Sequence, residues 1–363
     1  MRQAVMTLKA WTLGAVIAAG ATFAVPQAAQ AQAKAPIMVP VLLCPWGCGN
    51  TETETMLMNA MIRDGSPVTL LPQETPGYMY NVREMNNEKN WKTTVFGTED
   101  AVLQLAMKWG GTPEMKEFIP TPLPTKFQLL YGDAWWGQGK FFVTFDPKIK
   151  SPADFKGKRI GLGLRGQSDW GVFARMFLEH GYGITPDNAD IRHLTPAALT
   201  QQLMDGAVDV AITAFGAEPN LKEWLIPGLV RQLEASPKPL MYVPVTKEAI
   251  DKVNAKFGTT FLHVNLPAGT LPKQSGVLGS GVVRGFKAVH PSFSEEAAYH
   301  IIMGVAKHAP KMRDLHPLWK IWSPELMLHG LSDENVHPGA KRAYVELGWW
   351  DKAKQFPAMT YPK

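Results

Sequence analysis

Gly161-Leu-Gly-Leu-Arg-Gly166 has the G-x-G-x-x-G spacing of a dinucleotide-binding turn, and Asp187 and Asp190 lie near the distance of a ribose-binding acid. Its first two glycines, however, fall inside Arg159 to Gly163, a run that reads as a buried strand rather than a turn. Gly166-Gln-Ser-Asp-Trp-Gly171 is one residue too long for the G-x-S-x-G nucleophile elbow of hydrolases. What remains is a loop that binds without reacting. Arg165 could clamp a carboxylate through two parallel hydrogen bonds, or stand exposed or pair with Asp169. Gln167 and Ser168, beside the free N–H groups of a helix start, could donate to an anion, or Ser168 could only cap that helix. Trp46, Tyr78, Trp135, Trp136 and Trp170 could wall a cavity or simply pack. Glu99 and Glu218 could hold an amino group, or cap and solvate. The nine histidines, among them His193, His316 and His337, show no metal-ligand spacing, so neither metal nor cofactor is expected.

The elements that must position these residues alternate. Ile37 to Leu43 reads as a strand, and Thr51, Glu52 and Glu54 open a helix that stops at Gly65. Strands at Val68 to Leu71 and Lys92 to Phe96 follow, with helices on the faces Tyr78, Val82, Met85 and Val102, Leu105, Trp109. Strand–helix alternation implies a parallel sheet whose ligand crevice lies beyond the carboxyl ends of the strands. That selects loops 44–51, 72–78 and 96–100, which carry Trp46, Asn50, Tyr78, Thr98 and Glu99. Phe127 to Tyr131 and Phe141 to Phe145 read as extended chain interrupted by the loop Gly132 to Gly139, which holds Trp135 and Trp136. The alternation restarts at Lys158, with a helix from Ser168 to Gly181, a helix after Thr195-Pro196 and a strand from Val208 to Thr213. Ala214 to Pro219 is then a crevice loop carrying Phe215 and Glu218, before a short helix with Leu221, Trp224 and Leu225. Val277 to Val283 is read as the return path, and Ser294 opens a largely helical tail. Two restarts predict two α/β lobes: 35–140 with 281–363, and 141–280.

The bounds agree with export. Met1 to about Ala31 has basic Arg2 and Lys9, an apolar run from Ala10 to Val25 and small residues near Ala31, the layout of a cleaved signal peptide. With 37 basic against 32 acidic residues, the excess is modest and spread along the chain, which argues against a nucleic-acid partner. Cys44 and Cys48 are the sole cysteines; in an oxidising compartment a small structural disulfide is favoured over a redox pair, whose motif has two intervening residues.

A resemblance then becomes specific. Ser151-Pro-Ala-Asp-Phe-Lys-Gly-Lys-Arg-Ile-Gly-Leu-Gly163 resembles the D-L-K-G-K-R-V strand opening of periplasmic solute-binding proteins, and Asp205 to Gly216 resembles their second such segment. Val336-His-Pro-Gly-Ala-Lys-Arg-Ala-Tyr-Val-Glu-Leu-Gly348, with Leu315-His-Pro-Leu318 upstream, resembles the C-terminal signature of the TAXI family, solute receptors of tripartite ATP-independent periplasmic (TRAP) transporters. Pro267-Ala-Gly-Thr270 matches that family's I-P-A-G-T-Y, with Leu271 at the tyrosine position. The resemblance implies a type II periplasmic-binding-protein fold, a monomeric periplasmic receptor without enzyme activity, a small organic anion as ligand and a membrane permease as partner. An ABC-importer receptor of the same fold is the nearest alternative, and an exported enzyme or ligand sensor the alternative outside the class. Asn81 matches the asparagine of the family's S-G-G-S-x-x-N element, and Tyr78 corresponds by position. Asp169 stands where the family has a hydroxyl, and the aromatic-rich crevice implies a ligand larger or more apolar than glutamate.

Overall fold

The computed structural model describes residues 35–362, without the side chains of Trp135 and Trp136; the expected signal peptide lies outside the described residues. Apolar Ile37–Leu42 forms β1, which pairs in parallel with β2 (Val68–Gln73) and β3 (Val95–Glu99). Helix α1 (Asn50–Arg63) links the first two, and α2 (Tyr78–Glu84) leads toward β3. Helix α3 (Asp100–Trp109) follows β3 directly, with the Asp100 carboxylate accepting the Ala101 N–H at 2.8 Å. The same arrangement recurs with β5 (Arg159–Gly163), which lies parallel to β6 (Asp190–Leu194) and β7 (Val210–Ala217).

Two long antiparallel strands join these units: β4 (Gln128–Thr144) and β11 (Leu278–Val289). The shorter β8 (Trp224–Leu225), β9 (Met241–Val243) and β10 (Leu262–Leu266) pair with β7, β4 and β11. The first part of β4 and the last part of β11 complete β2-β1-β3-β11-β4; the remaining parts complete β6-β5-β7-β4-β11. Each half is therefore a parallel sheet closed by two antiparallel crossing strands. At 17 residues β4 spans ~55 Å, enough to serve both lobes. This is the type II periplasmic-binding-protein fold: two α/β lobes, extended crossovers and a cleft between. No helix among the described residues is long and apolar enough to cross a membrane.

Three expectations are corrected. The glycine-rich stretch Gly132 to Gly139 is not a loop but the middle of β4, where Gly285 alone faces Asp133 to Trp136, making a wide bulge. Gly97 to Glu99 and Ala214 to Ala217 are strand rather than turn, because β11 and β4 supply ladder partners that residues nearby in sequence do not reveal. Leu221 to Leu225 forms no helix; Trp224–Leu225 pairs with the end of β7.

Candidate ligand-binding site

Past the bulge, the two-residue period of β4 sends Gln138 and Lys140 to one face, both buried. The Lys140 Nζ lies 2.9 Å from an Asp169 carboxylate oxygen and 5.4 Å from the centre of the Trp170 ring. Asp169 and Trp170 come from the start of a helical segment built of π turns (Ser168–Phe173), a short α turn (Ala174–Met176) and further π turns (Phe177–Tyr182). Around this pair opens a largely apolar cavity of about 280 Å³. One lobe supplies Trp170, Leu225 and Leu229; the other supplies the loop Gly47 to Gly49 and Leu318. A second hollow of about 10 Å³ adjoins it, sharing Cys48, Gln138 and Asp169, and reaches Asn50, Tyr78, Gln167 and Ser168.

Behind the hollow is a buried charge network. Lys287 is wholly inaccessible; its ammonium lies 2.5 Å from Asp133 and 3.3 Å from both Glu54 and the Asn50 side-chain oxygen. Burial works to lower the Lys287 pKa, but Asp133 and Glu54 outweigh it and raise the value. The Tyr131 hydroxyl donates to Glu54, Tyr78 donates to Asp133 at 3.4 Å, and the Gln138 amide donates to Asp133 at 2.9 Å.

Glu99 differs. It is fully buried, yet neither carboxyl oxygen has a hydrogen-bond partner among the described residues. Burial, then the facing Asp169 charge, pushes its carboxyl well above the ordinary range. The Ser168 hydroxyl is near enough to offset part of that shift, without the geometry of a formed hydrogen bond.

The lobes meet directly. The Met79 N–H donates to the Gly166 carbonyl across the cleft at 3.2 Å. At the surface Arg165 pairs with Glu117, and Arg175 approaches the same carboxylate at 3.7 Å. The Trp109 indole donates to the Phe257 carbonyl at 2.8 Å. The cleft is closed.

Sequence reasoning placed some of its residues at this site and others elsewhere. Asn50, Tyr78, Gln167, Ser168, Asp169 and Trp170 line one or both cavities. Phe215 borders the larger one, but its ring packs over Gly139 between Phe141 and Trp224. Arg165 does not line it, since its guanidinium is turned outward to Glu117. Trp46 is 60 % exposed and also outside the lining. Asn81 gives its side-chain N–H groups to the carbonyls of Leu42, Leu43 and Gly97 and accepts from Thr75, so it ties strand ends together. Thr98 is buried away from the cavities, and Glu218 accepts N–H groups of its own loop. Trp135 and Trp136 fall in the bulge of β4, their side chains outside the description. Ser168 is not the helix cap; Gln167 occupies that position.

The backbone amides of the first crevice loop are taken. Glu52 accepts from Gly47 at 2.6 Å and Gly49 at 3.0 Å, while Glu74 accepts from Trp46 at 2.7 Å. Cys44 and Cys48 form the disulfide that stiffens this loop. Gln138 and Lys140 were missed because the stretch read as a loop; polar residues at alternate positions beside Phe141 to Val143 were the available signal. Among the described residues no group of His, Cys, Asp or Glu side chains forms a metal site.

The model of the NMT1-like family matches residues 134–348, more than half of the sequence. The chain belongs to the NMT1-like family. Solved structures similar to this NMT1-like protein include a MatC protein from Rhodopseudomonas palustris with bound malate, at 11% identity and TM-score 0.48, covering 88% of this chain and 99% of that one. The periplasmic binding protein BugD aligns at 10% identity and TM-score 0.48, over 88% and 96% of the two chains. A structure described as a periplasmic transporter aligns at 12% identity and TM-score 0.48, over 89% and 98%.

Proposed function

We propose that this NMT1-like protein is a periplasmic receptor that closes on a small organic solute carrying a carboxylate and an apolar or aromatic part, and delivers it without chemical change to a TRAP-type membrane permease. The observation that carries the reading is the larger cavity, walled by both lobes and by the strand that joins them. Closing the lobes buries such a solute, and opening them releases it. With Arg165 outside and the Gly47 and Gly49 amides engaged, the cation lining the cavity is Lys140, which a carboxylate would share with Asp169, with the Gln138 amide beside it. The apolar walls suit the rest of the solute. Residues 35–140 with 281–363 then move as one body against 141–280, hinged where β4 and β11 cross. The TRAP assignment rests on the motifs at 267–270 and 336–348.

The test is a panel of organic acids screened by thermal shift and small-angle scattering. A true solute raises Tm, with ~2.7 kcal/mol of stabilisation at a hundredfold excess over Kd, and holds the particle in its compact form. Turnover of any panel compound, or absence of binding by all of them, would reject the receptor reading.

A further inference from the structure

The smaller hollow has a chemistry of its own. Its volume, about 10 Å³, suits one water-sized group. It shares the lining residues Cys48, Gln138 and Asp169 with the larger cavity, so it lies beside a solute held there. Ser168 lines it with an unpartnered hydroxyl, and Glu99, outside the lining but beside Ser168 and Asp169, holds two unpartnered oxygens; both residues are at least 99 % buried. Glu99 comes from β3 in one lobe and Ser168 from the helical segment of the other, so the opening movement separates them.

The count of ionisable groups points the same way. Glu54, Glu99, Asp133 and Asp169 are four nearby carboxyl groups, against the two ammonium groups of Lys140 and Lys287. Tyr78 covers the neighbouring face at Gly97 and donates to Asp133, leaving Glu99 unserved. Without a partner the buried Glu99 carboxyl keeps its proton, and a cationic group beside it would let it ionise and make a charge-assisted hydrogen bond.

We propose that this hollow is a subsite for the protonated amino group of the solute, with Glu99 and Ser168 accepting its N–H bonds and Asp169 adding its charge. The proposal rests on the receptor reading and narrows its substrate class to amino-carboxylates with an apolar or aromatic side group.

The test compares amino acids bearing apolar or aromatic side chains with their 2-oxo, 2-hydroxy and des-amino analogues by calorimetry, on wild type, Glu99→Gln and Ser168→Ala, with calcium and sodium chloride as cation controls. Amino acids should bind at least tenfold more tightly than their des-amino analogues. Glu99→Gln should erase most of that preference, and Ser168→Ala should reduce it severalfold. Equal binding of des-amino acids would overturn the subsite and leave the receptor standing. Saturation by a metal ion alone, or an unchanged preference in both folded variants, would overturn it too. Failure of every organic compound would remove the receptor reading and the subsite together.

Discussion

At the residue scale, the cleft floor is governed by Lys287 rather than by an arginine. Its ammonium is the shared partner of Asp133 and Glu54, and all three side chains are out of reach of water. Removing one member of a buried charge network leaves the others unpaired, so Lys287→Met should lower unfolding free energy by about 3–5 kcal/mol in urea titration. A loss below about 1 kcal/mol would show that the carboxyl groups find other partners. Glu99 supplies a pH dependence of known sign. In the unfolded chain its carboxyl ionises near 4.5; in the fold, burial and Asp169 raise that value, with Ser168 and Lys140 offsetting part and Asp133 adding to it. Folding thus takes up a proton, and this contribution is complete below pH 4.5 and is lost as pH rises through the raised value. Glu99→Gln should accordingly show a smaller fall in Tm than wild type between about pH 5 and pH 8. Parallel curves for the two proteins would mean that Glu99 is ionised in both states.

At the element scale, the cleft closes where two loops touch through backbone. Gly77 has φ of +131°, and a Cβ there would lie 2.7 Å from the Gln167 Cα and 2.8 Å from its nitrogen. No side chain could yield to make room, since the neighbour is main chain of the opposite lobe. Gly77→Ala should lower the unfolding free energy from urea titration by about 1–3 kcal/mol, since its positive φ is strained in the open form too, and should lose about tenfold or more in solute affinity. Unchanged affinity would show that closure does not need this approach. Part of this scale is legible in sequence: α1 opens where Glu52 accepts the Gly49 N–H and stops before Gly65, and α3 stops at Gly110, features that act within one turn. The extents of β3, β4 and β7 are not, because a strand ends where its ladder partner ends.

At the scale of the whole molecule, the lobes are tied at the surface by Glu117 facing Arg165 and Arg175. The Arg165 and Glu117 side chains are 60% and 45% exposed, so the pairing is screened and contributes under about 1 kcal/mol. Glu117→Ala should weaken solute binding by no more than a few-fold, and the difference should shrink as salt is raised, measured by calorimetry at two ionic strengths. A salt-independent loss beyond about tenfold would show a buried role. The β–α alternation, the ends of α1 and α3 and the small disulfide loop were determined by the sequence itself, since periodicity, glycine stops and short-range cysteine spacing are local properties of the chain. Tertiary structure alone decided which charges meet: Lys287 with Asp133, Lys140 with Asp169, and Arg165 turned away from the cleft it was expected to serve. Those partners are brought together by sheet order and lobe closure, and neither leaves a short-range pattern along the chain.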